Sequence, residues 1–265
     1  MLARLAEPVV DDIAKKLARS DGAVHADETY STLSGKRAYD GVHGDMKYIP
    51  FMFGITRSGQ VSRDVLGNNF TGTRVTDCYA GDIAHLAGAK QKCLAHLSRT
   101  ARDWQKLSDA DSSDFGFFQA VKEFVKRGGE FHRLCGKGLV GPTKEAVEKA
   151  WLREELLRRE AWFLSHHKAF TLQAWIVNYH DDWLVFVDDA RVPPTDNLAE
   201  RALRPLVVLR KITFGHRSLD GGKRMAAIMT VAETARRHGH RASGVFYELF
   251  TRPSSQVLRQ LYAGL

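Results

Sequence analysis

The chain has 265 residues, 44% of them hydrophobic, with 39 Lys and Arg against 31 Asp and Glu and a formal net charge of +8. This length and apolar content sustain a substantial core and exclude a disordered chain, while the basic balance points to a polyanionic partner, nucleic acid before an anionic membrane. The three cysteines (Cys78, Cys93 and Cys135) are too few for a disulfide framework and read as reduced thiols.

Leu2, Leu5, Val9, Ile13 and Leu17 recur at three- and four-residue spacing, which predicts an amphipathic helix over 1–20. It reaches charged residues at once and has no apolar h-region, so no signal peptide is expected. Residues 23–28 read as a short strand ending in acid. Strands are predicted over 36–42 and 46–55, joined by Gly44-Asp45, with Arg57-Ser58-Gly59 as a further turn. The apolar run 49–55 is the longest of its kind and falls far below the ~20 residues that span a bilayer, so the protein is expected to be soluble and cytoplasmic. Another strand over 72–77 ends in Asp77. A helix from Gly81, a short strand over 91–95 and a long helix over 96–107 follow.

Residues 109–180 lack strand patterns and carry charged helical ones, with Val147, Trp151, Leu152, Leu156 and Trp162 on one stretch. This block reads as an all-helical insertion (109–184) between two parts of an α/β core (1–108 and 185–250), before a C-terminal tail (251–265). Pro193-Pro194 and the Thr-Asp-Asn cluster signal a helix start near Asp196 or Asn197, running through Lys211. A second helix is predicted over 223–238, stopped by Gly239.

Three acids stand out by position: Asp27 near the end of the first strand, Asp77 at the end of a later one, and Glu200 in the first turns of the helix after the insertion. Adjacent strand ends and a neighbouring helix can bring such acids together. Phosphodiester chemistry uses such a cluster, because two divalent ions about 3.5–4 Å apart serve the attacking and leaving oxygens. Hard cations favour carboxylate oxygens. Spacing alone does not separate this from a scatter of 31 acids, and Arg204 stands four residues after Glu200, the spacing of an ordinary helical ion pair.

The wording around these acids is more specific. The string 24–29 (Val-His-Ala-Asp-Glu-Thr), the block 75–81 (Val-Thr-Asp-Cys-Tyr-Ala-Gly) with 91–97 (Gln-Lys-Cys-Leu-Ala-His-Leu), and 196–205 (Asp-Asn-Leu-Ala-Glu-Arg-Ala-Leu-Arg-Pro) resemble the three acidic motifs of insertion-sequence transposases of family 66. Arg210-Lys211, the string 221–224 (Gly-Gly-Lys-Arg) and Glu233-Thr234-Ala235 resemble the continuation. The resemblance covers nearly the whole chain to about residue 250 and is weakest across the insertion. It implies a ribonuclease-H-like mixed sheet flanked by helices. It also implies an Asp-Asp-Glu triad of Asp27, Asp77 and Glu200 holding two Mg²⁺ or Mn²⁺ ions. Water would be activated to cleave DNA at the element end, and the freed 3′-hydroxyl would attack target DNA, with no covalent enzyme intermediate. His96 and Asn197 are expected to help position DNA or an acid. Because relatives carry a substantial upstream region, a truncated, non-catalytic DNA-binding remnant is the alternative, and a nuclease without strand transfer a third reading.

From 197 to 250 the chain holds ten Lys and Arg against four Asp and Glu. Arg201, Arg204, Arg210, Lys211, Lys223 and Arg224 are the candidate DNA-binding residues, since phosphate contacts dominate DNA affinity; a solvated basic face is the plainer reading. A homo-oligomer assembled on DNA is expected. Cys93 and His96 have half of a zinc spacing, with Cys78, His85 and Cys135 as possible partners, but a structural zinc site needs four ligands. A buried thiol and a helix-start histidine are the preferred reading of the pair. Lys36 and Lys223 each follow a glycine, but Tyr30 and Arg217 occupy the positions where a phosphate loop needs its first Gly, so nucleotide triphosphate binding is rejected. The five tryptophans read as core anchors.

Overall fold

A computed structural model describes residues 1–78 and 87–263. It is a mixed α/β protein whose five strands are ordered β3-β2-β1-β4-β5: β1 is Ala23–Leu33, β2 Lys36–Gly44, β3 Phe51–Gly54, β4 Thr73–Thr76 and β5 Ala89–Lys92. The described residues divide into two compact units, and the division falls inside β4: unit 1 holds 1–74, 87–88 and 197–263, and unit 2 holds 75–78 and 89–196.

In unit 1, α1 (Leu2–Ala18) buries Ala3, Ala6, Val9, Ile13 and Leu17. Ala6 takes the buried place expected of Leu5, which is 37% exposed; the stripe follows three- and four-residue steps from Val9 back through Ala6 and leaves Leu5 on its flank. The partners of this face are α9 (Leu219–Arg237), α10 (Ala242–Thr251) and α11 (Ser254–Leu261), through Val231, Ala235, Val245, Leu249, Val257 and Leu261. The expected tail thus contains a helix that packs into the core. The short α2 (Gly59–Leu66) adds Leu66 to a smaller cluster with Leu17, Val24 and Phe70.

β1 is longer than expected and continues into an antiparallel hairpin with β2, in register from His25↔Gly44 to Leu33↔Lys36. The connecting pair Ser34-Gly35 has positive φ at both positions, 48° and 78°, the geometry that suits a two-residue hairpin loop. Conversely β3 covers only 51–54 of the strand expected over 46–55. Asp45 turns the chain first: its Oδ1 accepts from the amides of Lys47 and Tyr48, each at 2.7 Å, an Asx-type turn. Helix α8 (Asn197–Thr213) lays Ala199, Ala202, Leu203 and Leu206 on Ala38, Val42, Phe51 and Phe53 of β2 and β3. Helix α9 starts at Leu219, ahead of its expected start at Lys223, because Ser218 caps it by accepting from the Gly221 amide at 3.0 Å.

Unit 2 is the helical block: α3 (Leu94–Gln105), α4 (Ser113–Cys135), α5 (Pro142–Glu160), α6 (His167–Asn178) and the short α7 (Val185–Asp188). β5 ends at Lys92, earlier than the strand expected over 91–95, because Leu94 already begins α3. Phe117, Phe118, Phe124, Leu152, Leu156, Leu172 and Trp183 form its buried interior. Of the five tryptophans only Trp183 is fully buried; the others are half-buried. Gly128 lets α4 approach α7, since a Cβ there would stand 3.2 Å from the Phe186 ring. The helix expected from Gly81, His85 and residues 79–81 of the second acidic motif lie outside the described residues. Among the described residues, no helix is long and apolar enough to cross a membrane.

Candidate active site

Asp27 lies in the middle of β1, the fifth of its 11 residues, and not near its end as expected; Thr29, Tyr30 and Thr32 are good strand formers, and the hairpin carries them on. Its face follows from register. Asp27 pairs with Val42, directly opposed residues share a face, and Val42 is buried in the cluster formed by α8. Asp27 therefore stands on the α8 side of the sheet. Its Oδ1 accepts from the Glu28 amide at 2.8 Å.

Glu28 stands on the opposite side and forms an ion pair with Arg57, whose guanidinium lies 5.5 Å from the Tyr39 ring centre. This pair edges a cavity of about 480 Å³ with largely apolar walls, including Gly41, Met52, Val61 and Ala226. Two residues before Asp27, His25 is buried, and its pKa is pushed down to about 4, by burial first and the Arg237 charge second. It is neutral at pH 7.

Glu200 is half-buried in the first turn of α8, where the helix dipole favours a carboxylate. Its level along β1 can be worked out. Beyond the C-terminal end of α8, the His216 amide donates to Thr32 O at 2.8 Å, and within the helix Arg210 Nη1 donates to Thr29 Oγ1 at 3.3 Å. Helix and strand thus run in the same direction. The ten residues from Arg210 back to Glu200 cover about 15 Å, which four or five strand residues match. That places the first turn of α8 beside the first half of β1, where Asp27 stands. On this reckoning Asp27 and the first turn of α8, which carries Glu200, both lie along the first half of β1 on the α8 side of the sheet.

Asp77 belongs to unit 2 and follows β4. Sequence reasoning did not single out the residue that holds it there: Lys92, the last of β5, is 1% exposed. Lys92 Nζ donates to Asp77 O at 2.7 Å and to Thr76 Oγ1 at 3.2 Å, and lies 4.7 Å from the Tyr179 ring centre. The signal was a lysine beside Gln91 at the end of a short strand, just before the apolar start of α3. Gln91 is equally buried and joins two segments, donating to Trp183 O at 3.1 Å and accepting from the Phe186 amide at 2.9 Å.

Burial pushes the Cys78 thiol up to about 12, with Lys92 opposing and Asp77, Cys93 and Asp182 adding to it. Buried Cys93 accepts from the Asp196 amide at 3.1 Å through Sγ, and His96 stands in the first turn of α3. This fits the buried-thiol and helix-start reading, and no four-ligand zinc set occurs among the described residues.

The candidate cations sit on or after α8. Arg201, Arg204, Lys211, Lys223 and Arg224 are exposed and Arg210 is half-buried. Arg201 Nε donates to the backbone of exposed Asn197 at 3.0 Å, and Arg224 pairs with Asp220.

No curated protein and no solved structure matches the chain. The family model described as "Transposase IS66 family" matches residues 1–224. With that match spanning most of its length, the chain belongs to the IS66 family of transposases.

Proposed function

We propose that this chain is a catalytic core of ribonuclease-H-like type that cleaves DNA at insertion-sequence ends and joins it to target DNA, with Asp27, Asp77 and Glu200 as its acidic triad. The observation that supports the reading is that Asp27 and the first turn of α8 lie along the same half of β1, by the register of β1 with β2 and the parallel course of α8. Asp77 joins them on its motif within the matched family.

The donor set fits Mg²⁺ or Mn²⁺, because all three side chains offer hard carboxylate oxygens. Asp27, Asp77 and Glu200 would hold the ions; when bound, these supply activation of the attacking oxygen and charge stabilisation at the leaving one. Lys92 fixes the backbone at Asp77, and the N-terminal turn of α8 fixes Glu200. Arg201, Arg204, Arg210, Lys211, Lys223 and Arg224 would neutralise phosphates, with His96 and Asn197 positioning groups beside the acids. The helical residues 109–184 are read as an insertion in the core (1–108 and 185–250), and the chain is proposed to work in the cytoplasm as a homo-oligomer on DNA.

The test is nicking and joining of plasmid DNA in Mg²⁺ or Mn²⁺. Asp27→Ala, Asp77→Ala and Glu200→Ala should each abolish cleavage while DNA binding persists. Full activity in any one removes that residue from the triad. A wild-type chain that binds DNA but never cuts it would be the non-catalytic remnant, and cuts without joined products would mark a nuclease.

A further inference from the structure

The segment that links α8 to α9 holds an aromatic side chain in an unfavourable backbone and points it at solvent. Phe214 has φ +59°, a region that residues with a Cβ rarely occupy, yet its side chain is 81% exposed. Packing therefore does not explain the conformation.

The surroundings fix it from both sides. The Phe214 amide donates to Arg210 O at 2.8 Å, and Thr32 Oγ1 donates to Phe214 O at 2.8 Å. The His216 amide donates to Thr32 O and the Ser34 amide to His216 O, each at 2.8 Å, while Ser34 Oγ donates to Arg217 O at 2.7 Å. His216 is anchored in turn, with Nε2 3.0 Å from buried Asp40 Oδ1 and its ring 4.2 Å from that of Phe53. Gly215 permits the close approach, since a Cβ there would lie 2.0 Å from Thr32 Oγ1. The position follows the last residue of α8, where helices commonly turn left-handed on a glycine; here a phenylalanine takes that place and keeps its ring in solvent.

The setting is basic. From Arg201 to Leu219 the chain holds five Arg and Lys (Arg201, Arg204, Arg210, Lys211 and Arg217) and no Asp or Glu. Lys36 and Arg37 are exposed just after the Ser34-Gly35 turn on which the segment is pinned. Ile212, two residues earlier, is 71% exposed as well. An exposed apolar side chain on a pinned backbone, at the end of a helix rich in cations, matches one kind of surface, a duplex whose phosphates meet the cations while the side chain enters a base step.

We infer that Phe214 is a wedge that parts a base step of bound duplex DNA and stacks against the opened base. This rests on the proposed DNA-processing role and assigns a positioning residue to it. The wedge works against base stacking, so it should favour DNA in which a step is already loosened.

The test compares binding of the full chain to a perfect 30-base-pair duplex and to the same duplex with one central mismatch. The wild type should bind the mismatched duplex about tenfold more tightly, the order expected when unstacking is spared. Phe214→Ala and Phe214→Gly should bind both duplexes equally, and Phe214→Trp should keep the preference. The melting temperature of Phe214→Gly should be unchanged or higher, because glycine accepts the positive φ. A wild type without preference, or a preference retained in Phe214→Ala, overturns the wedge alone, and so does a Phe214→Ala variant that changes only self-association. A wild type that binds neither duplex overturns the DNA-processing role as well.

Discussion

The arginines of the helical unit and the cations along α8 differ in how they are partnered. In the helical unit several cations pair with acids: Arg127 with Glu148, Arg153 with Asp188, Arg158 with Glu154 and Glu155, and His180 with Glu160. One such pair, Arg159 with Glu155, is buried, and Arg159 also donates to Ala120 O at 3.1 Å. In the unit built on β1, β2 and α8, Arg201, Arg204, Arg210, Lys211 and Arg217 form no ion pair among the described residues. Matched charges hold a scaffold together; an unmatched run of one sign leaves a field for a polyanion. A net charge taken over the whole chain hides this division.

Breaking each kind of charge should give different losses. The largest belongs to the acids: Asp27→Ala or Glu200→Ala should lower cleavage by roughly 10³-fold or more, since metal-assisted charge stabilisation amounts to several kcal/mol, with folding preserved by circular dichroism. Next, Arg159→Ala removes the buried partner of Glu155, leaving it only the exposed Arg158, and should cost about 1–3 kcal/mol of stability, read by urea denaturation. Smaller again, Lys211→Gln or Arg217→Gln should each reduce the salt slope of DNA binding by about one, whereas Arg153→Gln should leave it unchanged. Equal slopes in the two sets would erase the contrast. The smallest effect is Arg158→Ala, an exposed pair that should cost at most about 1 kcal/mol.

Much of this was legible from local pattern. The helical block, α8 and the apolar stripe of α1 follow from spacing that each segment carries in itself, and the acids stood out through motif wording. The misses came from contacts distant in the chain. Leu5 yields its expected buried place to Ala6 because the faces of α9, α10 and α11 set the stripe. The tail helix α11 had its signal in Val257 and Leu261 after Pro253, but that pair gains a core only once α1 is present. Lys92 was not singled out, because nothing nearby in sequence shows that a strand-end carbonyl and a tyrosine ring will receive it. Asp27 was placed near a strand end because the continuation of the strand depends on the hairpin turn at Ser34-Gly35.

The most direct test of the acidic site is the melting temperature of the full chain with and without Mn²⁺, beside a variant with Asp27→Ala, Asp77→Ala and Glu200→Ala combined. At a hundredfold excess over Kd a bound ion adds about 2.7 kcal/mol, roughly 5–10 °C for a chain of this size. The account predicts that rise in the wild type and none in the variant. No rise in the wild type, or an equal rise in both, would contradict it.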